Sequence, residues 1–365
     1  MEKNHTTLTR DSTLDIAKGL AVIFMVYVHT LIALGSLALQ EESWFGEIIG
    51  FLGGVPAAPV FMFMLGVGVH LSTHSTPQAL AKRGMTLFFG AYLFNFFRAV
   101  VPELIKYLLW EDYPFSLIEI GYYYLLFVDI LQFAGLAFLF FALTKQIGIK
   151  VRGYLLLLVL FLGINSWLLQ QHFPYRFWIN PFYALWFGID ESSYFPFFTW
   201  IFYPILGYLF SVLAKKRPQK RSLYLWLGFI TSAVIALYFL GVWQWDLPTG
   251  YASDVAYYHH AFPVQILYGA FIGWWLALIF LVTQIVKSRW IFLSNTSKMT
   301  NLIYIIHFLL LGLLGIFLQE ITQGWLIFLL ATSIFIASYL LAKRWLTRKR
   351  KNSFDKNLTR HYNKR

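Results

Sequence analysis

One apolar run near the start of the chain carries residues whose types and spacing could do chemistry. In LDIAKGLAVIFMVYVHT, Lys18 and His29 are eleven residues apart. At roughly 100° per residue, eleven steps leave them only about 20° apart around a helix axis. They share a face. A rise of about 1.5 Å per residue sets His29 some 16 Å beyond Lys18, near the midplane of any bilayer the run crosses. Asp15 stands three residues before Lys18 on the same stripe and can pair with its ammonium. A neutral imidazole can take a proton from an attacking group or act itself as a nucleophile. The plainer alternatives are Lys18 snorkelling to the headgroups with Asp15 as its partner, and His29 bonding a neighbouring helix.

Other ionisable or polar side chains interrupt apolar runs, where their cost makes them functional candidates. Arg83 follows Lys82 at the start of a run and could grip phosphate bidentately, although topology alone also explains a basic pair there. Asn95 and Arg98 lie in NFFRAVVPEL, and Asp129 lies in LLFVDILQFAG with Gln132 a turn away. A buried Arg98–Asp129 pair competes with a catalytic role for either. SNTSKMTNLIYIIHF places Asn301, Tyr304 and His307 in a slowly winding polar strip, which interhelical hydrogen bonds would also explain. His70 and His74 read as surface residues beside a hydrophilic loop. Pro56 and Pro59 must break backbone bonds within their run. YASDVAYYHHAFP and QQHFPYRFWINPFYALWFG gather aromatics with Asp254, His259, His260 and Arg176, which suits a headgroup-level belt or a platform for stacking a sugar.

The elements that must position these residues follow from composition. Of 365 residues 59% are hydrophobic and 13% charged, more apolar surface than one soluble core of this size can hide. We expect an all-α, polytopic membrane bundle of about ten helices near 14–38, 48–72, 84–109, 120–143, 153–170, 195–214, 223–243, 262–286, 300–318 and 324–343. The first is longer than a signal-peptide core, so it is read as an uncleaved helix in preference to a leader cut between Ala33 and Leu39. His172 to Tyr194 reads as an interfacial loop or a re-entrant hairpin. The net charge of +12 sits in short clusters between apolar runs, a pattern of topology and not of nucleic-acid binding. With the N-terminus inside, Lys82, Arg83, Lys145, Lys150, Arg152 and Lys215 to Arg221 fall inside. Glu41, Glu42, Glu103, Glu111 and Asp112 fall outside with Lys106 and Arg176. Both termini are therefore expected in the cytoplasm. Residues 1–345 form the membrane domain, and 346–365 a basic tail expected to be disordered and able to lie on anionic lipid. The chain has no cysteine, which excludes disulfides, thiolate zinc sites and a cysteine nucleophile, and no metal is expected. The oligomeric state, a homodimer among the options, is not set by these patterns.

The run from Leu14 to Thr30 resembles the opening of the transmembrane acyltransferases, the acyltransferase-3 superfamily, and within it the branch related to heparan-α-glucosaminide N-acetyltransferase. There a basic residue and a histidine on the first helix are separated by ten residues, the spacing of Lys18 and His29. The resemblance extends through Pro59 to Arg83, Asp129 to Gln132 (DILQ) and Asn301 to His307. Lys18 stands where many relatives have Arg, keeping the charge without the planar fork, and Leu65 stands where many have Ser. The resemblance implies transfer of an acetyl group from cytoplasmic acetyl-CoA to an extracytoplasmic hydroxyl or amine, on a glycan or glycolipid of the cell envelope. It implies donor binding by Lys18 and Arg83, with Asp15 and Arg98 as further candidates. His29 would be the base or a transient acyl carrier, Asn301 or Tyr304 an oxyanion donor, and Asp129 and His307 the next candidates for the base. A rival from another class is a proton-coupled transporter or exporter with Asp129, Arg98 and His29 as its relay.

Overall fold

Asp11 starts the first helix by accepting a hydrogen bond from the Thr13 amide at 3.1 Å, and α1 (Ser12–Leu34) then runs unbroken. In the computed structural model the described residues are 11–171, 173–174, 176–188, 193–217, 219–245, 257–286 and 290–362. The second run breaks where its prolines and paired glycines fall, giving α2 (Trp44–Gly53) and α3 (Ala58–Leu71) about a turn at 54–57. The third run is α4 (Pro77–Asn95), a π-helical turn Phe96–Val100 and α5 (Val101–Leu109).

The fourth run corrects the expectation of one continuous helix. A short turn Leu117–Ile120 and a π turn Gly121–Leu125 end before Asp129, and α6 (Ile130–Gln146) begins anew there. Asp129 and Gln132 form the reciprocal capping box of α6: the Gln132 side chain accepts from the Asp129 amide at 3.1 Å. Then follow α7 (Val151–Leu168), short helices Asn180–Ala184 and Phe197–Trp200, α8 (Phe202–Lys216), α9 (Lys220–Trp245) and α10 (Phe262–Ile285). The expected ninth span is a pair, α11 (Ile291–Lys298) and α12 (Thr300–Leu314), bent by 76°. The last helix, α13 (Gly324–Tyr362), extends into the basic segment expected to be disordered.

Among the described residues, eight helical stretches are long and apolar enough to cross a bilayer, and the bent pair would make a ninth. The remaining expected span is α6, 17 residues long, which starts part-way in. No strand forms among these residues beyond two isolated bridges, Gly35 to Ile321 and Val128 to Ser193. The chain is thus a polytopic helical membrane bundle. Within the segment 172–194, the Tyr194 amide donates to the Val128 carbonyl at 2.9 Å, tying the loop to the break before α6.

The helix that carries Lys18 and His29 sits at the seam of the bundle. It packs against α2, α3, α10, α11, α12 and α13. Its first half (Ile16, Ala17, Ala21) belongs to one apolar core with α3, α6, α8 and α10. Its second half (Val22, Met25, Val26, Leu31) belongs to another with α12 and α13. In lipid such contacts depend on close packing rather than on a hydrophobic drive. Gly19 lies against the Leu293 carbonyl of α11, and Gly66 of α3 against the Pro204 carbonyl of α8, where any Cβ would overlap backbone.

Candidate active site

The broken helices supply the polar side chains that meet inside the bundle. Arg98 sits in the π turn after α4, a helical irregularity that often marks functional positions. Its Nη2 donates to Asp129 Oδ2 at 2.5 Å, forming an ion pair in which both residues are buried. Nε and Nη2 also reach Asn95 Oδ1 at 3.2 and 3.0 Å, and Nη1 reaches the Tyr304 hydroxyl at 3.5 Å. The carbonyls freed by the break at 125–128 are met by side chains, as apolar surroundings require. Asn95 Nδ2 donates to the Leu125 and Phe127 carbonyls, each at 3.1 Å, and Gln132 Nε2 to Phe127 at 3.2 Å.

His29 joins this cluster through α12. Its Nδ1 lies 3.0 Å from His307 Nε2, and the two rings are within 7° of parallel. The Phe308 ring lies 4.4 Å from the His29 ring and 4.3 Å from the Arg98 guanidinium, linking imidazole to ion pair. Phe94 and Phe127 cover the same guanidinium at 5.1 and 4.8 Å. Against its helix ends, His29 is seventeen residues past Ser12 and five before Leu34. At about 1.5 Å per residue that is roughly 26 and 8 Å, so it stands in the far half of α1.

A cavity of about 700 Å³ approaches the cluster from the other end of α1. Lys18, Arg83, Ser72 and His74 line its mouth, Asn301 lies along its wall, and Met25, Phe94 and Tyr304 line it where it nears the cluster. Arg83 is exposed, with its guanidinium 4.2 Å from the Phe138 ring. His74, read from sequence as a surface residue, is exposed and belongs to this mouth. The cavity wall includes Met25, one helical turn short of His29, but not His29 itself.

The structure thus divides the candidate residues into two groups. His29, Asp129, Tyr304, His307 and Arg98 are brought together deep in the bundle. Arg98, taken with the donor-binding residues, is paired in that deep cluster and does not line the mouth with Lys18 and Arg83. Asn301, taken with the reacting centre, is six residues from His307, or about 9 Å along α12, and belongs to the cavity wall. Tyr304 reaches both groups, but its hydroxyl donates to Asp129 Oδ2 at 3.1 Å, so its one proton is engaged by a carboxylate and not offered to an oxyanion. Asp15 accepts from Ser294 Oγ at 3.4 Å, beside α11. The three phenylalanines around Arg98 were not singled out from sequence, because Phe is too common in this chain to mark a position. The capping box has a signal in DILQ, Asp followed three residues later by Gln, which the length of the apolar run hid.

The aromatic loop residues assemble elsewhere. Tyr257 packs on Trp200 and on Tyr258, whose carbonyl accepts from Trp200 Nε1 at 3.0 Å, His259 Nε2 lies 2.6 Å from the Ser193 carbonyl, and Asp254 lies outside the described residues. His260 is 2% exposed; its Nδ1 donates to the Tyr257 carbonyl at 2.7 Å and its Nε2 meets the Tyr203 hydroxyl at 2.6 Å. Burial pushes this imidazole down to about 3. An unfolded histidine binds its proton near pH 6.5, so between about pH 6.5 and 3 the unfolded chain holds more protons and stability falls as pH falls. Acidification to pH 5 should cost about 2 kcal/mol from this residue alone. The melting temperature in detergent should therefore drop between pH 7 and 5 in the wild type and drop less in His260→Gln; equal drops in both proteins would exclude this assignment.

Compared with known families, the chain matches the model of an acyltransferase domain, acyltransferase-3, over residues 11–343. The match covers the domain as a whole and does not select a branch within it. No curated protein matches the chain.

Proposed function

The chain belongs to the acyltransferase-3 family, and from that premise we propose that it transfers an acetyl group from cytoplasmic acetyl-CoA to a hydroxyl or amine on the far side of the membrane. The observation that carries this reading is the cavity, which has cations at its mouth and comes within one turn of His29. Its volume of about 700 Å³ falls in the range of small-molecule sites. In this reading Lys18 and Arg83 bind phosphates of the donor, and the thioester arm lies along Met25, Phe94 and Asn301. The layer of Met25, Phe94 and Tyr304 must shift for the thioester to meet His29, which fits a path that admits an acyl group and blocks water.

The acceptor reaches His29 from the far half of α1. Its oxygen or nitrogen attacks the thioester carbon while His29 takes its proton; the carbon–sulfur bond then breaks, and the leaving thiolate recovers the proton. We take the acceptor to be a glycan or glycolipid of the cell envelope, a reading that rests on the family resemblance, and the membrane to be the cell membrane with both termini in the cytoplasm. The deciding experiment is binding of acetyl-CoA to purified, folded protein. No binding at millimolar concentration would return the chain to the transporter reading.

Lys18→Ala tests the mouth separately. A phosphate-binding cation contributes mainly uniform binding, so KM for acetyl-CoA should rise on the order of tenfold with kcat little changed. A pure kcat defect at unchanged donor affinity would move Lys18 out of the mouth and into the reaction.

A further inference from the structure

His307 is fully buried and does not line the cavity, yet its two ring nitrogens have partners that settle where its proton lies. Its Nδ1 is 2.9 Å from the Ile303 carbonyl. A carbonyl only accepts, so Nδ1 carries the hydrogen, and a neutral imidazole then has a bare Nε2. That Nε2 faces His29 Nδ1 at 3.0 Å, with the rings 7° from parallel, so its in-plane lone pair can receive the His29 N–H. His29 must therefore carry its own hydrogen on Nδ1, which leaves the lone pair on Nε2.

We propose that His307 is a positioning residue that holds His29 in the tautomer whose Nε2 is the base; this rests on the reading of His29 as the base. When Nε2 takes the proton of the acceptor, the Nδ1–H bond to His307 is already in place and the new imidazolium keeps a hydrogen-bond acceptor. The charge cannot travel further along this path. A proton passed to His307 would have to leave through Nδ1, which is held by the Ile303 carbonyl of its own helix. The pair is thus a dead end for protons, suited to a base that returns its proton to the leaving group and unsuited to a relay across the membrane.

The tautomer can be measured without turnover. In protein labelled with 15N-histidine, the His29 resonances, assigned by their loss in His29→Gln, should show a protonated Nδ1 and a bare Nε2. A protonated Nε2 in the wild type would overturn the proposal. His307→Leu removes the acceptor, so kcat should fall on the order of 10²-fold with KM for acetyl-CoA within about twofold, because the base loses its orientation while the cavity stays intact. His307→Gln keeps an amide oxygen able to accept from His29 Nδ1 and should recover activity to within about tenfold of wild type. Undiminished kcat in His307→Leu, or a His307→Gln protein that folds yet is no better than a folded His307→Leu, would overturn the positioning role. Full activity in His29→Gln would instead overturn the base reading itself, and the nitrogen resonances of the wild type tell these failures apart.

Discussion

His29→Gln should reduce acetyl transfer to the percent level or below in a protein that remains folded and inserted. The amide can still donate to His307 Nε2, which faces His29 at 3.0 Å, so the interhelical bond survives. What disappears is the imidazole lone pair that takes the acceptor's proton. A general base contributes about 10² to 10⁴ in rate, which sets the expected loss. His29→Ala should be as inactive, and it adds a void beside Phe308. Donor binding should be unchanged in both, because His29 does not line the cavity. Near-wild-type transfer by the Gln variant would reduce His29 to a structural contact. The neighbouring groups are poorly placed to replace it as the base. Asp129 is held by Arg98, Tyr304 and the Ile130 amide, and the His307 lone pair faces His29.

The first-helix stripe was legible because a helix has a fixed pitch: Lys18 and His29 had to share a face once the run was helical. Their surroundings were not. Hydropathy records which runs prefer lipid to water, but a leucine facing lipid and one facing another helix are equally at home, so the run does not encode its neighbours. Hence nothing in the sequence placed His307 against His29, although both stand out as polar residues in apolar helices. Charges are the exception. Arg98 and Asp129 could not stay single in an apolar setting, and their pairing could be anticipated without knowing the fold.

Breaks within the membrane were the hardest feature to read. The apolar run around Asp129 suggested an unbroken helix at 120–143, whereas the chain ends one π turn at Leu125 and caps a new helix at Asp129. A capping box in a soluble protein marks a helix start; within apolar residues it was masked by the length of the run. The bend between α11 and α12 was hidden similarly. There the 76° turn leaves Asn301 in the first turn of α12 and His307 two turns further along, which divides one polar strip between cavity wall and buried cluster.

The largest effect on folding should come from Asp129→Ala. Removing one member of a buried ion pair strands the other charge, at a cost of about 3–5 kcal/mol, and losing the cap of α6 adds about 1 kcal/mol. Arg98, only 6% exposed, would keep Asn95 and Tyr304 as partners but no carboxylate. Asp129→Asn keeps a capping oxygen for the Ile130 amide and an acceptor for the guanidinium, so it should lose less. The informative protein is Arg98→Met combined with Asp129→Asn, which removes both charges and retains the cap. If the cost of each single change is mainly a stranded charge, this double variant should recover most of the melting temperature and folded yield in detergent lost by Arg98→Met or Asp129→Ala. A double variant no more stable than the singles would mean that the pair stabilises through its own geometry. Activity need not follow stability, because the guanidinium also packs on Phe308, whose ring lies against His29. A stable but slow double variant would assign the ion pair to the placement of Phe308 and Tyr304 around the base, whereas a stable and fully active one would leave it no role beyond joining the helices.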